Sequence, residues 1–165
     1  MKFSYLLIGC LCVVCLAVMP AQAFTAKTLT VTLDGNGNAQ ADMQYDLSLT
    51  EQAAIFFHAA NPAILLQNAL EQNLNRQVTV VRADTSSADV IIPSFATVSQ
   101  KAGTTTLTTP AFSFASAQQA IKNQWYAPFI SADFAPRTTV ISFPDGYQAV
   151  YSNLISIPSV SHQTV

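Results

Sequence analysis

The sequence predicts an α+β domain, and three observations predict it. Stretches of apolar/polar alternation flank short turns containing glycine, the pattern of β-hairpins. Between the first and later hairpins, leucines recur four residues apart, the spacing of one helix face. Further on, Ser116-Ala117-Gln118-Gln119 reads as the capped start of a second, short helix. The expected architecture is one domain: an antiparallel sheet of hairpins, a kinked or paired helix packed across one face, and a second short helix.

Residues 1–23 are read as a secretory signal. Lys2 supplies the positive end, Tyr5 to Met19 is an uncharged apolar run, and Pro20 breaks it. Ala21-Gln22-Ala23 fits the small-x-small rule for cleavage before Phe24. The run is shorter than the roughly 20 residues of a spanning helix. Leu7-Ile8-Gly9-Cys10 resembles a lipobox, although few apolar residues precede it. An uncleaved signal or a lipid at Cys10 is the route to a membrane that this reading offers.

All three cysteines, Cys10, Cys12 and Cys15, fall in that signal. The mature chain, Phe24 to Val165, then has 142 residues and no disulfide, cysteine nucleophile or thiolate metal site. That length suffices for one domain with a core, expected over 24–158, with 159–165 as a loose tail. Six basic and nine acidic residues give the mature chain a formal charge of −3. The basic residues are scattered, so nucleic acid is excluded as a partner. Charged residues are 10% of the whole chain, and the polar surface is mostly Thr, Ser, Gln and Asn. Such a surface opposes association weakly and suits packing beside other proteins, or self-association.

Taken in order, Lys27 to Asp34 alternates Leu29, Val31 and Leu33 against Thr28, Thr30 and Thr32. Ala39 to Leu47 alternates likewise. The turn between them contains Asp34, Asn36 and Asn38, with Gln40 and Asp42 beyond, spaced like the oxygen ligands of a calcium loop. Register decides against that. Only a three-residue loop, Gly35-Asn36-Gly37, sets Leu33 on Ala39, Val31 on Ala41 and Leu29 on Met43. At about 3.3 Å per residue, Asp42 then lies roughly 13 Å from the turn, against ligand distances of about 2.3–2.6 Å. Asp34 and Asn38 alone remain as weak metal candidates.

Ser48-Leu49-Thr50-Glu51 begins the first helical stretch, and Asn61-Pro62 a second start, followed by Leu66, Leu70 and Leu74. Two helices or one kinked helix result. Gln77 to Ala83 is a strand with Val78 and Val80 inward. Val90 and Ile92 lie on a strand that Pro93 bends or puts on an edge. Phe95 to Gln100 and Thr104 to Thr109 form a hairpin, exposed on account of its Thr and Ser content. The helix from Ser116 runs through Trp125 and Tyr126 and ends before Pro128. Thr138 to Phe143 and Tyr147 to Ile157 form a third hairpin around Pro144-Asp145-Gly146, pairing Ile141 with Ala149 and Thr139 with Tyr151.

Chemistry is sparse. His58 and His162 are the only histidines, the first near a helix end and the second in the tail. No GxSxG, P-loop, GxGxxG or HExxH occurs, and no cofactor is expected. Paired acids such as Asp42 and Asp46 sit on the polar face of a strand, where solvation accounts for them. Trp125, Tyr126 and Phe129 around Pro128 could form an aromatic patch for a sugar or partner chain, or close an edge of the core.

Two segments, LTVTLDGNGNAQADMQYDLS and FPDGYQAVYSNLISIPSVSH, resemble those of uncharacterised extracytoplasmic proteins of methanogenic archaea. The resemblance is carried by turn motifs and spans most of the mature chain. It implies an envelope location and no known catalytic or binding residues. The functional expectation is an exported, non-enzymatic domain that binds or packs against other envelope components. A small-ligand or glycan binder using the aromatic patch is the first alternative, and a hydrolase with a dispersed site the second.

Overall fold

The computed structural model describes residues 22–47, 62–101, 103–122 and 131–164. They are mostly β, which corrects the α+β expectation. The first hairpin joins β1 (Gln22–Leu33) to β2 (Ala39–Leu47). Its pairs are Leu33 with Ala39, Val31 with Ala41 and Leu29 with Met43, the register that alternation requires. β3 (Thr79–Ala83) and β4 (Ser87–Ile92) follow helix α1 (Pro62–Leu74). β5 (Thr97–Lys101) and β6 (Thr104–Thr108) form the second hairpin, turned at Gly103. After β7 (Phe112–Ser113), helix α2 (Ala115–Lys122) and β8 (Ser131–Asp133) comes the third hairpin, β9 (Thr138–Ser142) with β10 (Gln148–Ser152). β11 (Ser156–Ile157) and β12 (Ser161–Thr164) complete the described chain.

The large sheet runs β10-β9-β1-β2-β4-β3, with β8 also on β1. It is mixed rather than antiparallel: β1 pairs antiparallel with β2 on one side and parallel with β8 and β9 on the other. The sheet's inner face carries Leu29, Val31, Leu33, Val90, Ile92 and Ile141, all buried. A second β layer supplies the facing side chains, with Leu107 from β6, Phe112 from β7 and Ile157 from β11 in the same core, joined by Phe95. Among the described residues, the helix expected to cover the sheet contributes Leu70 and Leu74, partly buried and packed against the core. A stripe of leucines every fourth residue is narrow, and cannot roof a sheet of this width. The Thr-rich hairpin does so instead, because alternate positions turn inward. Leu107 and Thr109 are completely buried, while β5 is exposed along its length.

Other expectations change with it. β4 is an interior strand between β2 and β3, because it ends at Ile92 and leaves Pro93 outside the ladder. Val78 is buried just before β3, Val80 is half-buried, and a bulge falls at Val81. α2 begins ahead of Ser116, and its Ala115 N–H donates to Ser113 Oγ at 3.2 Å. The tail expected to be loose forms β12, whose residues 161–164 pair antiparallel with β6. The first helical stretch, His58 and the extension of α2 through Trp125 lie outside the described residues. β1 begins at Gln22, so cleavage before Phe24 would remove its pairing of Gln22 with Ser131.

Candidate functional site

The first hairpin's tip is a hydrogen-bonded staple built on Asp34 and Asn38. Asp34 Oδ1 accepts the N–H groups of Asn36 and Asn38 at 2.9 and 2.8 Å, and its Oδ2 accepts the Asn38 side-chain amide at 2.8 Å. Hydrogen bonding from Asn38 holds the Asp34 carboxyl below its ordinary value. Asn38 Oδ1 in turn accepts the Ser94 N–H at 3.0 Å, and Arg76 donates to the Ser94 carbonyl at 2.6 Å. Those contacts hold Ser94 in the left-handed region, φ 50°. Among the described residues, no three His, Cys, Asp or Glu side chains gather as a metal site would need. Trp125, Tyr126 and Phe129 lie outside the described residues, as does Ala21. Ala23 and Phe24 lie on β1, where the Phe24 ring stacks on Phe134 at 4.6 Å and meets Tyr45 at 5.3 Å.

The large sheet's outer face is the candidate site. The pairings align one row across it: Val150 on β10, Val140 on β9, Thr30 on β1, Asp42 on β2, Asp89 on β4 and Arg82 on β3. Around the row lie Thr28, Thr32, Thr138, Ser142, Gln40, Gln44 and Gln148, none of them buried. Strand alternation puts them all on one side. The face toward β9 and β10 is therefore uncharged and rich in hydrogen-bonding groups.

Charge is confined to the other end. A depression of about 270 Å³ is lined there by Lys27, Asp42, Gln44, Tyr45, Asp46, Arg82, Ser86 and Ser87. Lys27 pairs with Asp46 at 2.7 Å, and Arg82 Nε donates to Asp89 at 2.9 Å. Asp42 and Asp89 are cross-strand partners. The Asp42 carboxyl is raised above its ordinary value, first by its hydrogen bond with Asp89 and then by partial burial. Asp84, beside them, is lowered to about 2 by the N–H groups of Ser86 and Ser87. The sequence placed Asp42 on a polar strand face, and nothing local to it points to Asp89.

A second cluster was also invisible locally. His162 of β12 meets Asp145, in the β9–β10 turn, with Nε2 2.7 Å from Oδ2. Its ring stacks on Tyr147, centroids 4.1 Å apart and 11° between planes, and lies edge-on to Phe143 at 5.0 Å. Residues 161–164 are all polar, so no apolar alternation marks the strand in the sequence, and its exposed and half-buried positions alternate only in the fold.

The fold and its faces thus define a two-layer, mostly β protein with an open polar sheet face. No family model matches the chain, no curated protein matches its sequence and no solved structure matches its fold. No helix among the described residues is long and apolar enough to cross a membrane.

Proposed function

We propose that the chain is an exported, non-enzymatic domain that binds or packs against other components of the cell envelope. One observation carries the binding half: the outer sheet face presents Thr, Ser and Gln side chains and holds charge only at one end. A face of this kind offers many weak donors and acceptors, and little electrostatic repulsion to a neighbour. The export half rests on the signal-like residues 1–23.

Two measurements test the reading together. Intact masses of protein recovered separately from medium and envelope fractions should show a species beginning at Phe24. Chemical cross-linking of intact cells should join that species to other envelope proteins, or to itself, more than to cytoplasmic ones. Protein retaining Met1 in the cytoplasm, or turnover across ester, peptide and glycoside panels, would overturn it.

A further inference from the structure

Among the described strands, β10 is the least defended edge. Sheet edges are usually blunted by charge, bulge, brevity or cover. Among the described residues, β3 has a bulge and Arg82, β5 ends on Lys101, β12 carries His162, and β7 and β11 are two residues long. β10 reads Gln148-Ala149-Val150-Tyr151-Ser152, with no charge, proline or bulge in its ladder. Val150 is 58% exposed, and Tyr147 just before it is 45% exposed.

The direction of its free groups follows from the bonds it already makes. The Tyr147 carbonyl accepts the Phe143 N–H at 2.8 Å, and the Asn153 N–H donates to Pro136 at 3.1 Å. Odd-numbered residues therefore turn their backbone groups inward. Gln148, Val150 and Ser152 turn theirs outward, since adjacent residues alternate.

We infer that β10 pairs antiparallel with β10 of a second copy of this chain, about a two-fold axis at Val150. This names a partner and a surface for the envelope-packing reading above, and rests on it. The arrangement is self-complementary. Val150 faces Val150 of the second copy, and Gln148 faces Ser152, so every outward N–H meets an outward C=O. Exposed valine meets valine on the outer face. The edge holds no charge, so the symmetry brings no like charges together, the usual obstacle to pairing a strand with itself. A five-residue ladder is small beside the roughly 1,200–2,000 Å² of a stable interface, so the complex is weak and concentration-dependent.

Sedimentation velocity of the full-length chain across a concentration series is the test, with Val150→Pro and Val150→Lys alongside. Proline at 150 removes an outward donor that no internal bond uses, and lysine adds a charge on the axis. The parent chain should shift toward dimer as concentration rises, and both variants should stay monomeric with unchanged far-UV circular dichroism. Should either variant unfold, Val150→Cys in a chain with Cys10, Cys12 and Cys15 replaced by serine gives an independent reading. It should form a disulfide-linked dimer under mild oxidation, because hydrogen-bonded partners lie about 5.5 Å apart at Cα. A parent chain monomeric at every concentration, or a Val150→Pro variant that associates as the parent does, would overturn the inference. Continued cross-linking of either to other envelope proteins would leave the broader function standing.

Discussion

His162 reaches Asp145 across the boundary between the two β layers, Nε2 to Oδ2 at 2.7 Å, with its ring stacked on Tyr147. One side chain thereby fastens the last strand, otherwise held by β6, to the turn of the third hairpin. Hydrogen bonding from His162 is the main reason that Asp145 lies below its ordinary value of 3.8. A carboxyl lowered in the folded state stabilises above its unfolded value, and that contribution is lost as pH falls through the lowered one. His162→Ala should therefore raise amide exchange across residues 161–164 about fivefold near neutral pH. The difference from the parent chain should shrink as the pH drops below 3.8. Exchange in β12 that is insensitive to the substitution would show β6 to be its sole anchor.

Gly37 and Gly146 both have positive φ, 82° and 91°, in comparable three-residue turns. Their surroundings differ. A Cβ on Gly37 would lie 2.4 Å from the Ala96 carbonyl oxygen, whereas one on Gly146 would meet nothing within 4 Å. The Ala96 N–H also donates to Gly37 O at 2.8 Å, so the backbones cannot easily part. Gly146→Ala should cost about 1–2 kcal/mol, the left-handed strain alone. Gly37→Ala should cost clearly more, about 3 kcal/mol, because strain and displacement add. Urea unfolding of both variants checks the order.

Thr139 is 1% exposed, and its hydroxyl has no hydrogen-bond partner among the described residues. It faces the core from β9, where a hydroxyl stripped of water is a cost without return. Thr139→Val should stabilise the protein by about 1 kcal/mol, read as a higher urea midpoint with an unchanged slope. A loss of stability would show that the hydroxyl has a role the packing does not reveal.

Asp42 opposes Asp89 across the β2–β4 ladder, and its carboxyl is raised mainly by that neighbour. A raised carboxyl stabilises fully below its unfolded value of 3.8 and loses that contribution as pH climbs through the raised one. Asp42→Asn keeps a donor for Asp89 and removes the like charge. At neutral pH it should stabilise by about 0.5 kcal/mol, allowing for solvent screening. The gain should fade as the pH approaches 3.8. Thermal melts of both chains across that range would show the convergence, and a gain independent of pH would refute the account of a raised Asp42 carboxyl.

What the sequence by itself determined was local. Alternation with a period of two, together with a three-residue loop closed by Gly37, admits a single register for Leu33 on Ala39, and the structure has it. The same logic places Ile141 on Ala149. Both depend on residues fewer than ten apart, whose pairing a short turn enforces. Only the tertiary structure decided which strands lie side by side over long distances. The parallel docking of β9 on β1, the choice of a Thr-rich hairpin over the helix to roof the core, and the meetings of Asp42 with Asp89 and of His162 with Asp145 all belong there. No turn links those partners. Their placement follows from burying one apolar sheet face against a second layer, a condition on the whole chain that no short stretch of it carries.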